Sequence, residues 1–117
     1  VIGHLNVGLC LDTCHTWAGG IPTIEAMKGF KKLVKKIDLI HFNDSKDGFE
    51  SSRDRHENLG KGKIPKEELE YVIKNAKTDI VVETPNGPDA QKKDIAWIKR
   101  RLKKWIIYQE ILLLIEE

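Results

Sequence analysis

The chain has 117 residues, of which 40% are hydrophobic and 32% are charged, and its formal net charge is +2. These values are typical of one folded domain with a modest core and argue against an intrinsically disordered chain. No apolar run is long enough to cross a bilayer and no cleavable signal peptide is recognisable, so no membrane partner is expected. Two cysteines are too few for a disulfide scaffold, which favours a reducing compartment. The chain begins with Val1 and enters a strand pattern within a few residues, which suggests a fragment.

The first third of the chain predicts a strand, a loop and a helix. The run VGLCLD over 7–12 is short, apolar and closed by an acid, which is typical of a strand covered on both faces, and it would bury Cys10. The segment from Thr13 to Thr23 contains two glycines and a proline and is predicted to be a loop. From Ile24 to Lys35 apolar residues recur every three or four positions, which predicts an amphipathic helix.

Two further pairs of strand and helix follow. The run IDLIHF over 37–42 predicts a strand, and a long polar loop covers 43–63. A helix is predicted over 65–75, because proline suits a first helical position and acids favour the first turn. The run DIVVE over 79–83 predicts a third strand, and a final helix starts near Ala90. The order βαβαβα favours right-handed crossovers and a parallel sheet.

Acidic and imidazole side chains stand at or just after the ends of these predicted strands. Parallel strands bring their carboxyl ends to one edge of a sheet, where α/β proteins place their chemistry. Burying such groups unpaired would cost free energy, and a bound cation is the simplest reason to gather them. Mixed His, Asp and Glu ligation favours zinc or a similar transition metal. The candidate ligands are Asp12, His15, His41, Asp54, His56 and Glu83.

Other polar and aromatic residues have simpler interpretations. His4 has no acidic or cysteine neighbour and is expected at the surface. Cys14 could bind zinc as a thiolate, but packing is favoured for it, as for Trp17. Asp44 could be a ligand or could orient His41, and the second role is preferred.

Two basic runs and an apolar tail lie in the predicted helices. The runs at 28–36 and 92–104 are interpreted as solvated helix faces, although a polyanion partner would also suit them. Trp97 is expected to pack in the core. The tail at 105–117 continues a loose helical stripe of apolar residues that favours core or partner contact and is too short to span a bilayer.

Three motifs, in order, carry a resemblance to a known family. They are CLDTCHTWAGG, the run HFNDSKDGFESSRDRHENLGKGKI, and the closing ETP. The chain resembles the endonuclease IV family, zinc-dependent nucleases that cut DNA at abasic sites. Over 1–104 the resemblance implies an α/β fold, namely the last three βα units of a xylose-isomerase-like (β/α)8 TIM barrel with the metal site at the C-terminal ends of its parallel strands. Residues 105–117 would then be an apolar helical extension, and the protein would be intracellular, either cytoplasmic or nuclear.

The resemblance also implies a site for three zinc ions. The ligands implied for one zinc of a close pair are Asp12, His41 and Glu83. The ligands implied for the third zinc are His15, Asp54 and His56. The remaining ligands of the pair belong to earlier strands that have no counterpart here, so one full site and part of a second are expected.

The same resemblance assigns roles in the reaction. Glu83 is the candidate catalytic residue, since as a ligand it could also orient the attacking water. Contacts with DNA phosphates are expected from Arg55, Lys46 and Asn43, because such side chains often bind the DNA backbone. Glu50 departs from the family pattern, which has glycine there. A left-handed backbone at that position would cost about 1 kcal/mol with glutamate.

The implied reaction is hydrolysis of the phosphodiester on the 5′ side of an abasic site in double-stranded DNA, which leaves a 3′-hydroxyl and a 5′-deoxyribose phosphate. One alternative is a metal-dependent sugar isomerase or epimerase on a related barrel. Another is a non-catalytic zinc-binding remnant. A full barrel has eight βα units, so the missing half would lie on the same gene, on another chain or nowhere, and the isolated chain is expected to lack catalysis.

Overall fold

The computed structural model describes residues 6–116, so the surface position predicted for His4 lies outside the described residues. Nine elements follow one another along this part of the chain. They are β1 (Cys10–Asp12), α1 (Thr13–Ala18), α2 (Thr23–Leu33), β2 (Leu39–His41), β3 (Asp44–Ser45), β4 (His56–Glu57), α3 (Lys66–Asn75), β5 (Asp79–Val81) and α4 (Gly87–Glu116).

The predicted parallel sheet is confirmed. Its three strands lie in the order β1-β2-β5, and each neighbouring pair is parallel. Helices connect the strands, so the chain contains three consecutive βα units of an α/β barrel. The strands are shorter than their apolar runs, and the final helix begins at Gly87, three residues before the predicted start.

The core lies between the sheet and the helices. Leu11, Ile40 and Ile80 are paired across the three strands, and the first two are at most 2% exposed. Side chains alternate between the two faces of a strand. These three side chains therefore point toward the helices, and the residues next to them in each strand point to the opposite face. The predicted packing roles of Trp17 and Trp97 are confirmed, since each is 8% exposed within the same core.

The predicted burial of Cys10 is wrong. The residue lies in β1 as expected, but it is exposed. It is paired with Leu39, which is paired in turn with Asp79, in the layer that faces away from the helices. Within the described residues the three strands form an open sheet rather than a closed barrel, which leaves Cys10 exposed on that face.

The loop predicted for Thr13 to Thr23 is also wrong, because its first part forms α1. Asp12 is the N-cap of this helix and accepts hydrogen bonds from the backbone N–H groups of Cys14 and His15. An aspartate at the N-cap satisfies donors that a helix leaves unpaired in its first turn. The last residue of the strand therefore also starts the helix, and the glycines end it.

The long loop over 43–63 contains a short antiparallel hairpin that the sequence did not predict. β3 pairs with β4 so that Asp44 lies opposite Glu57 and Ser45 lies opposite His56. The hairpin carries His56 back toward the carboxyl ends of the parallel strands. Its position therefore decides whether the loop ligands can join those at the strand ends.

The long helix α4 extends through the apolar tail without a break. Several tail residues are well exposed, including Leu113 at 61% and Leu114 at 71%. Among the basic residues of the two runs, every lysine is exposed, as a solvated helix face requires. Arg101 is the one basic residue there that is partly buried. Within the described residues no helix combines the length and the apolarity that crossing a bilayer requires.

Candidate metal centre

All six residues predicted as ligands meet at the carboxyl edge of the sheet. Their donor atoms form two groups in which every atom lies within 4.8 Å of the others. We call the first the strand-end group, which consists of Asp12, His41 and Glu83. We call the second the loop group, which consists of Asp12, His15, Asp54 and His56.

The strand-end group follows directly from the sheet. Asp12 and His41 are the last residues of their strands and are paired in register, and Glu83 follows the end of β5 by two residues. The Nδ1 atom of His41 contacts a carboxylate oxygen of Glu83 and lies 3.8 Å from Oδ2 of Asp12. Three donors of types that zinc accepts therefore converge from three adjacent strands.

Asp12 belongs to both groups because one of its oxygens, Oδ2, faces histidines of each group, while the other oxygen caps α1. Oδ1 accepts the N–H groups of Cys14 and His15 at 2.9 and 3.1 Å, which is the N-cap of α1. Oδ2 lies 3.7 Å from Nε2 of His56 and 3.9 Å from Nδ1 of His15. The side chain is only 6% exposed, so the cap fixes the direction in which Oδ2 points.

Asn43 lies beneath the strand-end group. Its side-chain oxygen accepts the N–H of Glu83 at 2.8 Å, and its Nδ2 lies 3.4 Å from Oδ2 of Asp12. The residue is 0% exposed, and its backbone is bonded in both directions to the hydroxyl of Thr13. The predicted contact of Asn43 with a DNA phosphate is therefore wrong, because both ends of its amide are committed inside the protein. It positions two candidate ligands instead.

The loop group joins α1 to the segment that enters β4. Nε2 of His15 lies 2.6 Å from Oδ2 of Asp54, and Nε2 of His56 lies 3.4 Å from the other oxygen of Asp54. Ligands of a tetrahedral zinc, at about 2.0–2.2 Å from the ion, lie roughly 3.3–3.6 Å from one another. The separations of His56 from Asp54 and from Asp12 are close to this range, whereas His15 and Asp54 are closer because they are hydrogen-bonded to each other and would move apart around an ion.

His56 gives the clearest sign that the loop group can bind a metal ion. Its Nδ1 lies 3.0 Å from the backbone carbonyl oxygen of Glu83, which can only accept a hydrogen bond, so Nδ1 carries the proton. Its Nε2 is buried and makes no hydrogen bond within the described residues. A metal-binding histidine uses this arrangement, with one nitrogen bonded to the protein and the other left for the ion. The residues present therefore fit a zinc ion.

Asp44 does not have the predicted role of orienting His41. Its carboxylate is buried and accepts backbone N–H groups from Ser45, Gly60, Gly62 and Ile64. Burial raises the pKa of Asp44, and these four donors oppose that rise because they favour the charged form. A Cβ atom on Gly62 would collide with Asp44, which explains the glycine. Asp44 therefore shapes the loop that follows β4 rather than the metal centre.

Cys14 is buried beneath the loop group and packs there, as predicted. It is 0% exposed, and burial raises the pKa of its thiol to about 12. Cys14 is not a member of either group of converging donor atoms.

The two remaining residues predicted to bind DNA lie on the hairpin. The side chain of Arg55 is 56% exposed and makes two hydrogen bonds to the carboxylate of Asp47, at 2.6 and 2.8 Å. This pairing raises the pKa of Arg55 and lowers that of Asp47. Lys46 is exposed beside it. Phosphate binding by Arg55 and Lys46 stays a prediction.

Sequence reasoning missed several buried polar residues near the candidate ligands. Asn58 and Asp94 are among them, at 4% and 3% exposed. Neither stands at the end of a strand predicted from the sequence. Only the tertiary contacts identify them.

A family model described as "Xylose isomerase-like TIM barrel" matches residues 1–101. A protein named "Probable endonuclease 4" from Mycobacterium bovis is 44% identical over 101 residues, which cover 86% of this chain and 39% of that protein. One of the same name from Mycobacterium ulcerans is 42% identical over 102 residues, covering 87% of this chain and 40% of the relative.

A solved structure gives the same picture of the fold. The crystal structure of endonuclease IV from Thermus thermophilus superposes with a TM-score of 0.68 at 31% sequence identity. The match covers 92% of this chain and 41% of the other. The chain therefore spans about two fifths of the length of these relatives.

Proposed function

Because the chain belongs to the xylose isomerase-like TIM barrel family and resembles endonuclease IV across both groups of candidate ligands, we propose that it forms part of a zinc-dependent DNA repair nuclease. The reaction is hydrolysis of the phosphodiester on the 5′ side of an abasic site in double-stranded DNA. Its products are a 3′-hydroxyl and a 5′-deoxyribose phosphate. Such an enzyme acts where DNA is found, in the cytoplasm or the nucleus.

The observation that carries this proposal is the pair of ligand groups that share Asp12. The nucleophile and the leaving group of a phosphodiester lie on opposite sides of the phosphorus, and neighbouring metal sites can serve both positions. A sugar isomerase needs no counterpart of the loop group. The strand-end group alone would suit that alternative, whereas His15, Asp54 and His56 favour the nuclease.

The side chains of this chain would prepare the site in specific ways. When bound, zinc lowers the pKa of water and neutralises charge on phosphoryl oxygens. The carboxylate of Glu83 reaches the centre of the strand-end group, where it would bind the ion and orient the attacking water. Two hydrogen bonds hold Glu83 from two sides: its N–H donates to the side-chain oxygen of Asn43, and its carbonyl oxygen accepts from Nδ1 of His56.

Substrate binding would use the exposed hairpin beside the centre. Arg55 and Lys46 supply positive charge there, and Arg55 keeps N–H donors beyond those used by Asp47. An abasic nucleotide has no base pair to break, so turning it out of the duplex toward the site takes less free energy than for an ordinary nucleotide.

A closed barrel of this kind has eight βα units, and the described residues form three. We therefore expect incision only when the remaining units are supplied, from the same chain or from another. Alone, these units should bind zinc at the loop group, where one full set of donors is present.

The test measures incision of an oligonucleotide duplex that carries one abasic site. Residues 1–101 would replace the matching segment of the Mycobacterium bovis relative, and the chimeric barrel would be compared with its Glu83→Gln variant. We expect incision by the chimera and a loss of about 100-fold or more in the variant. Asp89→Asn is the matched control, because Asp89 is an exposed acid on α4.

Two results would contradict the proposal. Full incision by the Glu83→Gln chimera would remove Glu83 from the catalytic step. A zinc-loaded chimera that isomerises sugars but leaves abasic DNA intact would favour the alternative enzyme class.

A further inference from the structure

A buried polar network lies behind the metal centre and connects α4 to both loops that carry ligands. Its central side chains are Asp94, on the second turn of α4, and Asn58, two residues after His56. Oδ1 of Asp94 accepts the N–H of Leu59 at 2.9 Å, and Oδ2 accepts Nδ2 of Asn58 at 2.8 Å. Both donors are neutral, so this carboxylate is buried without the help of a cation in these two contacts.

Asn58 extends the network to the loop after β5. Its Nδ2 also donates to the carbonyl oxygen of Pro85 at 3.0 Å. Its Oδ1 accepts Nδ2 of Asn86 at 2.7 Å. One side chain therefore joins the segment after His56 to the segment after Glu83, and Asp94 fixes the orientation of that side chain.

The network is close to the ligands in sequence as well as in space. Asn58 follows His56 by two residues, and Pro85 follows Glu83 by two residues. The ligands themselves are joined by the hydrogen bond from Nδ1 of His56 to the carbonyl of Glu83. Two parallel links therefore hold these segments at a fixed separation, one at the ligands and one behind them.

Burying a carboxylate costs free energy even when neutral donors satisfy it. A neutral side chain could join a helix to a loop at lower cost. A carboxylate accepts through both oxygens, whereas an amide in its place would turn a donor toward either Leu59 N–H or Asn58 Nδ2. Only the carboxylate satisfies both neighbours, which fixes the rotamer of Asn58.

We propose that Asp94 and Asn58 are positioning residues that set the direction of the free Nε2 of His56 and thereby tune zinc affinity at the loop group. This inference rests on the proposed function, since it requires that the loop group binds a metal. Neither residue is a member of the ligand groups. They act through the backbone of the two loops.

The test measures binding of Zn²⁺ and of Co²⁺ to the full chain, with Co²⁺ absorption as a report of ligand geometry. Asp94→Asn should weaken zinc binding by about 10- to 100-fold and change the Co²⁺ spectrum, as loss of a group that orients a ligand typically does. Asp89→Asn removes the same charge from an exposed position on the same helix and should change neither property.

A second variant covers the case in which Asp94→Asn does not fold. Asn86 has a φ of 73°, so Asn86→Gly removes its side chain while keeping a residue that tolerates this backbone. It deletes one hydrogen bond to Asn58 and should weaken zinc binding in the same direction by a smaller factor.

The outcomes separate this inference from the proposed function. If the unaltered chain binds neither metal, the proposed metal centre is wrong, and the inference is overturned with it. If the unaltered chain binds zinc while Asn86→Gly and any folded Asp94→Asn match its affinity and Co²⁺ spectrum, only the inference is overturned. A fall in thermal stability with unchanged metal binding would show a purely structural network.

Discussion

The strand-end group and the loop group share Asp12 but are built in different ways. Asp12 and His41 end paired parallel strands, so the hydrogen bonds of the sheet place them side by side. Asp54 follows a segment in which Glu50 and Ser52 have φ angles of 61° and 60°. These are left-handed conformations that non-glycine residues seldom adopt.

The loop compensates for this backbone by docking on α1. The N–H of Glu50 donates to the carbonyl of Trp17, and the N–H of Ser52 donates to the carbonyl of Ala18, each at 3.0 Å. These carbonyls belong to the end of α1, where a helix leaves acceptors without partners. The positions of the strand-end ligands therefore depend on the sheet, whereas the position of the loop that carries Asp54 depends on a local contact with one short helix.

The largest effect, a loss of bound zinc, should distinguish two single variants, each of which lacks one histidine of one group. The loop group holds four donors, and the strand-end group holds three. We therefore expect about one tightly bound zinc per chain, lost in His56→Ala and retained in His41→Ala. Metal content after exhaustive dialysis measures the difference.

Equal zinc loss in both variants would contradict this prediction, because it would mean that the two groups bind metal only as one unit. Circular dichroism of each variant is the control, since it shows whether the fold has survived.

A smaller effect should appear when the shared aspartate is changed in two ways. Asp12→Asn keeps a side-chain oxygen that can cap α1, whereas Asp12→Ala removes it. In metal-free buffer the free energy of unfolding of the alanine variant should be about 1 kcal/mol lower than that of the asparagine variant. This difference is the usual contribution of an N-cap side chain. Urea unfolding measures this difference.

Zinc binding should fall in both Asp12 variants, since both lose the charged Oδ2 that faces three histidines. Equal free energies of unfolding for the two variants would contradict the stabilising role of Asp12 as the N-cap of α1. Retention of zinc by Asp12→Asn would show that the carboxylate is not needed as a shared ligand.

The smallest effect concerns the left-handed backbone of the loop. Glu50→Gly should raise the free energy of unfolding by up to about 1 kcal/mol, because glycine adopts positive φ without strain and the gain exceeds its greater freedom in the unfolded chain. Thermal unfolding of the metal-free chain measures it. The prediction would be wrong if Glu50→Gly were destabilising.

Arg53→Gly is the matched control for that measurement. Arg53 is exposed in the same loop and is not among the residues with positive φ. Glycine there should lower stability by roughly 0.5–1 kcal/mol, because it adds freedom to the unfolded chain and relieves no strain. Opposite signs at the two positions would confirm that strain is confined to the left-handed residues.

Much of the candidate site could be predicted from the sequence because strand ends are a local property. The runs that end at Asp12 and His41 are short and apolar, and alternation with helices determines that the strands are parallel. Parallel strands then bring their last residues together without any further information. The expected cost of glutamate at position 50 also agrees with the left-handed φ found there.

The parts that sequence reasoning missed depend on contacts between distant residues. The exposure of Cys10 follows from which face of the sheet is covered, and the role of Asn43 follows from where the Glu83 N–H lies. No local pattern records such contacts.

The sequence alone specified three parallel βα units and placed Asp12, His41 and Glu83 at one edge of the sheet, because periodicity and strand direction are encoded over a few neighbouring residues. The tertiary structure alone shows that α1, β3 and β4 bring the loop ligands to the same edge, and it alone identifies the side chains that hold them. The free Nε2 of His56 is aimed by hydrogen bonds to the loop after β5, and the Asn58–Asp94 link spans 36 positions in sequence. Folding brings such partners together through the packing of the whole core, and that packing cannot be read from either segment alone.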